Sequence, residues 1–321
     1  PRPASEGELS MSTEMIDPVV QPPVGPDTTA ERLPGKRLSK WTLYSRRFMR
    51  NKPAVGGIVI FVLLALASII VPLVSPYTAT YMDFLNLSTG PSAEHWFGTN
   101  ASGNDTFTQT FVGLQRSLMI AVTVSVGVTI ISAIVGTAAA YFGGWTERIS
   151  LLVIHFMMVV PNFLILAMIS NSSGGDWRVI ALVMIFVVGW FFPARVIWTM
   201  ALSLREREYV SAARYMGVPG MRIVLRHLLP NIGSLLVINF TLGVVNAVMT
   251  ETGLSFIGFG VKIPDVSLGS LIGEGSASVT SAPWLFYFPA LALTLLTVSM
   301  ALVADGLRDA LDPTSSAGGR A

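Results

Sequence analysis

The sequence contains no cysteine and only three histidines among its 321 residues. Without cysteine there is no disulfide framework, no thiolate metal site and no thiol nucleophile. His95, His155 and His227 are scattered and share no ligand spacing. Charge is scarce as well: Asp, Glu, Lys and Arg make up 12% of the chain, against about 25% in an ordinary soluble domain. With a net charge of only +2, the composition excludes a nucleic-acid binder and a water-soluble enzyme of normal surface. There is no G-x-x-x-x-G-K-[ST] phosphate loop; Gly35-Lys36-Arg37 lacks both the first glycine and the hydroxyl. Nor is there a chain of intramembrane carboxylates of the kind a proton-coupled pump uses. If this chain moves a solute actively, another protein supplies the energy.

What is present is apolar. Hydrophobic residues form 52% of the sequence, and mean hydropathy is +0.62. Uncharged runs occupy 53–82, 117–146, 149–175, 179–194, 228–250 and 275–304. Trimming at Gly, Pro and polar signals predicts six helices over 54–75, 117–140, 149–170, 179–200, 232–250 and 284–304. Each approaches or exceeds the roughly 20 apolar residues that span hydrocarbon, and each satisfies its own backbone hydrogen bonds there. The expected fold is an all-α polytopic membrane protein with six transmembrane helices. A soluble all-α bundle is disfavoured, since these runs keep no polar face for water.

Basic residues set the orientation. Nine Lys and Arg lie in the N-terminal segment up to Lys52. With that segment inside, Arg148, the five arginines of the 201–231 loop, Arg308 and Arg320 fall inside too. Arg116, Arg178 and Lys262 remain for the outer side, and Arg195 lies within a helix. Both termini are therefore expected in the cytoplasm. No secretory leader pattern is visible, and Met11 is an alternative start. Residues 1–31, rich in Pro, Glu, Ser and Thr, are expected to be disordered. Residues 32–52 mix basic residues with Trp41, Leu43, Tyr44, Phe48 and Met49, the pattern of an interfacial helix on anionic lipid.

Three connecting segments carry the functional signal. The first, 76–115, faces outside and holds Asp83, Glu94 and Asp105. Its centre, His95-Trp-Phe-Gly-Thr-Asn-Ala-Ser-Gly-Asn-Asp105, has the glycines and short polar residues of a defined turn. Composition alone favours a self-packed cap on the bundle. The functional alternative is a docking surface for an external partner, with Trp96, Asn100, Asn104 and Asp105 as candidate contacts.

The second segment, 201–231, is cytoplasmic. Ser203 and Glu206 have capping-box spacing, Gly217 suits a left-handed cap, and Pro219 prevents continuation. A helix of about three turns is expected near 205–217, outside the bilayer. Ser211, Ala212 and Ala213 allow close approach of another backbone, flanked by Tyr209 and Met216. Spacing leaves two readings level: a helix held by a partner, or a membrane-surface helix anchored by its arginines.

The third is Glu251-Thr-Gly-Leu-Ser-Phe-Ile-Gly-Phe-Gly260. A carboxylate at a bilayer centre costs about 2.5–3.5 kcal/mol on insertion scales, so Glu251 is expected to face protein or a water-filled mouth. The fifth helix aligns Asn239, Gly243, Asn246 and Thr250 on one face; the second aligns Ser125, Thr129, Ser132 and Gly136. Such stripes pack helices or line a pathway. Packing is expected for the second helix. For the fifth, Asn239, Asn246, Thr250 and Glu251 are the candidate pathway residues. His155 is read as a hydrogen-bonded packing residue rather than a proton relay.

The stretch Glu208-Tyr-Val-Ser-Ala-Ala-Arg-Tyr-Met-Gly217, followed by Arg226-His-Leu-Leu-Pro-Asn231, resembles the EAA loop of type I ABC importer permeases. Phe97-Gly-Thr-Asn-Ala-Ser-Gly-Asn-Asp105, the Glu251–Gly260 motif and Asp305-Gly-Leu-Arg-Asp-Ala-Leu-Asp-Pro313 follow the order found in C-type membrane subunits of dipeptide/oligopeptide importers. The resemblance covers about residues 40–313. It implies the type I ABC permease fold and a heterodimer with a B-type permease. It also implies two ATPase subunits, or one fused ATPase, that bind ATP and Mg, and an extracytoplasmic peptide-binding lipoprotein. No cofactor and no catalytic step belong to this chain. Glu208, Tyr209, Ser211, Ala212, Ala213, Arg214, Met216 and Gly217 would form the coupling helix against one ATPase. The implied organisation is a tail (1–31), a basic segment (32–52), a first span with its external loop (53–112), a core permease domain (113–309) and a C-terminal tail (310–321). Two positions depart from the family. Ser211 stands where the family has Glu, and Asn104 stands where its outer motif has Arg. A nickel chelate or haem is an alternative cargo for the same architecture. A self-sufficient secondary transporter or channel would need an inverted repeat, broken midplane helices or a coupling carboxylate.

Overall fold

The computed structural model describes residues 40–311. The expected disordered segment 1–31, and the tail from 312 onward, lie outside them. Regular structure among the described residues is helical, apart from one isolated bridge between Thr99 and Asp105. In chain order the helices are α1 (Lys40–Arg50), α2 (Lys52–Val74), α3 (Thr106–Phe142), α4 (Gly144–Val159), α5 (Asn162–Ser172), α6 (Trp177–Val183) and α7 (Phe191–Arg205). Then come α8 (Glu208–Tyr215), α9 (Gly220–Ile223), α10 (Leu229–Asn231), α11 (Gly233–Phe256), α12 (Leu268–Ala277) and α13 (Trp284–Leu311).

Four helices, α2, α3, α11 and α13, are each long and apolar enough to cross a membrane. The other two expected spans are broken. The α4–α5 pair bends by 78° and the α6–α7 pair by 40°, which brings the number of spans to as many as six. Each break has a cause in sequence. Pro161 forces Val160 into extended backbone, at ψ 137°, because a residue before proline avoids the helical region. Pro193 removes the N–H that would bond the carbonyl of Gly189. There the chain widens to a π turn over Met184–Val188, and Gly189 N–H bonds Met184 O at 2.8 Å. A second π turn, Val224–Leu228, precedes Pro230 in the same way.

α3 starts eleven residues before the expected boundary at 117 and runs through the expected domain boundary at 112/113. Its 37 residues extend about 55 Å at 1.5 Å per residue. The early start follows from a cap: Asp105 accepts from the Thr108 N–H at 2.8 Å and the Thr108 hydroxyl at 2.7 Å. The connection after α2 is correspondingly shorter than 76–115. α12 was not expected at all; Ser267 and Ser270 close a reciprocal capping box at its start.

α3 is the axis of the bundle, packing on α7, α11 and α2, while α13 closes the other side against α2, α12 and α11. Leu114, Ile120, Ile180, Val248, Leu254 and Leu296 are the buried centre. Of the stripe expected to pack on the second helix, Ser132 and Gly136 pack against α7, while Ser125 and Thr129 border a groove. The Ser132 hydroxyl donates to Trp190 O at 3.0 Å, and a Cβ added at Gly136 would stand 2.7 Å from Ala194 O, so only glycine lets α3 and α7 meet there. His155 corrects its expectation: it is exposed on α4 and carries no hydrogen bond. It follows Ile154, which faces the core, and one residue along a helix turns the side chain about 100° outward.

Candidate functional site

Two candidate sites lie at opposite ends of α3. At its C-terminal end the chain leaves α7 at Arg205, turns through an extended Arg207 at ψ 144°, and enters α8 at Glu208. The Ser203–Glu206 capping box does not form: Ser203 belongs to α7 and its hydroxyl bonds Met200 O. The helix is therefore two turns rather than three. Its first turn is held by Val210 and Ser211 N–H donating to Arg207 O at 3.0 and 3.1 Å.

Its far end is a complete Schellman cap. Gly217 has φ +75°; its N–H bonds Arg214 O at 3.0 Å, and Val218 N–H bonds Ala213 O at 3.1 Å. Val210 and Ala213 are buried against Ile223, Val224 and Leu228. Ala213 thus faces its own chain rather than an incoming backbone. The Arg205 guanidinium donates to Ala140 O at 2.9 Å and to Glu206 at 3.0 Å, tying the α7–α8 junction to the end of α3.

Glu208, Tyr209, Ala212, Arg214 and Met216 face outward, with Ser211 half-buried. Ser211 and Arg214 border a cavity of about 350 Å³ with Arg205 and Glu206. The sequence reading passed over Tyr215, the most exposed aromatic here at 91%. Its spacing of three from Ala212 and seven from Glu208 was the available signal.

The 75–105 connection, at the other end, is folded on itself. His95 is buried, with Asp105 at 2.9 Å on Nδ1, Asp83 at 3.5 Å on Nε2 and the Tyr77 ring stacked at 4.7 Å. Hydrogen bonds from the Asn86 side chain, then the Leu85 N–H, hold the Asp83 carboxyl below the ordinary aspartate range. Phe97 stacks on Phe288 of α13 at 3.9 Å, and Trp284 Nε1 donates to Thr99 O at 3.2 Å. Of the candidate docking residues, Asn104 and Asp105 are buried within this fold, Asn100 is half-buried and Trp96 is 64% exposed. Asp105 is engaged as the α3 cap and cannot present its carboxylate outward.

Between the ends, Asn239, Asn246 and Thr250 line one groove of about 190 Å³ with Ser125, Thr129 and Phe192. Asn239 Nδ2 is buried there without a partner. Glu251 points elsewhere. It is fully buried, accepting from the Ser255 hydroxyl at 2.7 Å and the Ser117 hydroxyl at 3.3 Å, while Ser117 in turn accepts the Leu268 N–H at 3.2 Å. It joins α3, α11 and the start of α12. No cluster of three or more potential metal ligands occurs among the described residues.

Residues 125–316 match the family of binding-protein-dependent transport system inner membrane components, and residues 39–91 match the N-terminal transmembrane domain of oligopeptide transport permease C. The oligopeptide transport system permease protein OppC of Mycobacterium tuberculosis is 45% identical over 278 residues, covering 86% of this chain and 96% of that one. The Mycobacterium bovis protein of the same name gives the same values. The OppC of Bacillus subtilis is 35% identical over 286 residues, covering 88% and 93%. With most of its length matched on both measures, the chain belongs to the binding-protein-dependent transport system inner membrane component family.

Proposed function

We propose that this chain is the C-type permease subunit of an ATP-driven importer of di- and oligopeptides in a bacterial cytoplasmic membrane, with both termini in the cytoplasm. It performs no bond-making step. ATP and Mg belong to partner ATPase subunits, and α8 is the coupling helix seated on one of them. A B-type permease completes the membrane dimer, and an extracytoplasmic lipoprotein delivers peptide above the 75–105 connection. Asn239, Asn246 and Thr250 line the pathway, where amide and hydroxyl groups bond peptide backbone without selecting side chains. Glu251 braces that wall from behind.

One observation carries the reading. α8 is fixed on its inner face and at both ends, while Tyr215 and Met216 stand 91% and 76% exposed on the other. Motion forced on that outer face passes through Arg205 into α3 and α7 as a rigid-body displacement. Because the chain has no cysteine, single cysteines are free of background. Cysteine at Ala212 or Met216 is expected to crosslink to an ATPase subunit of the assembled complex. Labelling of both positions by lipid-borne probes, with no ATPase adduct, overturns the proposal in favour of a membrane-surface helix.

A further inference from the structure

A cavity of about 420 Å³ opens where α2 ends, lined by Val71 and Val74 of α2, Tyr77, Glu94 and Trp96 of the connection, and Phe107 of α3. Its floor is apolar, and the Trp96 ring meets Phe107 edge-on at 4.9 Å. Its rim holds two carboxylates with different histories. Asp105 is consumed by Thr108 and His95. Glu94 is exposed and has neither a hydrogen bond nor an ion pair. The connecting residues 75–105 contain no Lys or Arg to neutralise it. Burial, then the carboxylates of Glu94, Asp105 and Asp83, pushes the Tyr77 hydroxyl above its ordinary range, as expected where negative potential is uncompensated.

The position selects the occupant. Of the four unbroken spans α2 is the least covered, with 11% of its most apolar stretch buried, against 39% for α3. Leu73 and Val74, 79% and 72% exposed, close the apolar run of that helix. An apolar floor continuous with the exposed apolar side of α2, an indole of the kind that settles at membrane interfaces and an unpaired carboxylate beside it match one ligand class.

We infer that this cavity binds a glycerophospholipid with a primary-ammonium headgroup, the ammonium on Glu94 and Trp96 and the upper acyl chain along Val71, Val74 and Phe107. An ammonium gains both from the carboxylate and from the indole face. An anionic headgroup meets Glu94 as a like charge and is rejected. Asn100 borders a different cavity, of about 280 Å³, so a lipid at Trp96 leaves that cavity free for a docking protein.

The test uses the full chain in its assembled complex, reconstituted with phospholipids brominated near the glycerol end of the acyl chain. Ethanolamine and glycerol headgroups are compared at equal chain composition. The Trp96 signal is the difference between wild type and Trp96→Phe. Quenching of that signal is expected at about threefold lower mole fraction of the ethanolamine lipid, the preference one exposed ion pair supplies. The preference should vanish in Glu94→Gln and persist in Glu94→Asp. Equal quenching by both headgroups, a preference surviving in Glu94→Gln, or no quenching of Trp96 by either lipid overturns the assignment. So does displacement of the brominated lipid from Trp96 by a soluble trilysine peptide, which would make the site a peptide site.

Discussion

Replacing Gly217 tests the lever at its most exposed joint. The residue sits at φ +75°, and a Cβ added there meets no heavy atom within 4 Å. Any effect of substitution therefore comes from backbone conformation and not from collision. For an ordinary L-residue the left-handed region costs roughly 1–2 kcal/mol. Asparagine tolerates it best, and a β-branched residue tolerates it worst. If residue 217 relaxes to a right-handed conformation, the Gly217–Arg214 and Val218–Ala213 bonds are lost. The contact of Val218 with the buried face of α8 goes with them. Since 1.4 kcal/mol is a factor of ten, Gly217→Val should leave the cap formed about tenfold less often, or worse. Gly217→Ala should be intermediate and Gly217→Asn near wild type. The assay is peptide uptake per ATP hydrolysed in proteoliposomes holding the complete complex, with assembly checked separately. The expected order of coupling is Gly, Asn, Ala, Val. Wild-type coupling in Gly217→Val refutes the role of the cap. Asn as damaging as Val refutes the conformational argument, because both then fail for occupying space.

Two further outcomes follow from other parts of the chain. Glu251→Ala leaves the Ser255 and Ser117 hydroxyls without their buried acceptor, at about 1–3 kcal/mol for each orphaned group. The midpoint of thermal unfolding in detergent should fall by several degrees, and by less in Glu251→Gln, which keeps an acceptor oxygen; equal losses in the two variants would contradict the hydroxyl brace. Asp83 titrates below the ordinary aspartate value of 3.8. The stabilisation it gives its turn is thus complete above that value and lost as pH falls through the lowered one. Protection of the Leu85 amide, which donates to Asp83 at 2.9 Å, should stay level from neutral pH to about 5 after correction for intrinsic exchange. Protection that already fails between pH 6 and 5 would show that another group holds the turn.

Hydropathy made α2, α11 and the body of α13 legible, because each is a continuous apolar run whose length alone decides its state. It missed the first three turns of α3. Thr106, Thr108, Gln109 and Thr110 read as loop by polarity, yet all are buried: Thr108 bonds Asp105 and Ser75, Gln109 reaches Ala79 O, and Thr110 bonds Thr106 O within the helix. The Asp105 cap was the local signal, and it was overlooked in favour of average polarity. α12 escaped for a related reason: its box pairs serine with serine, where Glu or Gln is the usual third residue. The Ser203–Glu206 box was legible and misleading, because the apolar face of α7 carries that helix through Ala201 and Leu204 before a cap can act. At α8, spacing located the left-handed cap at Gly217, and the structure leaves Met216 exposed beside it. Which alanine faces inward depends on the 220–228 segment packed beneath it, so Ala213 was not separable from Ala212. For Glu251, chemistry allowed protein or a water-filled mouth; only the fold shows that its partners are hydroxyls on the side away from the groove.

The unbroken length of α3 has a mechanical consequence. Its neighbours are jointed, at Pro161 between α4 and α5 and at the π turn between α6 and α7, whereas α3 passes from the Asp105 cap to Phe142 without a hinge. A stiff strut beside two articulated arms cannot shorten or fold. A push at one extremity must reappear as tilt at the other, and any change in the shape of the groove must be taken up by the jointed members.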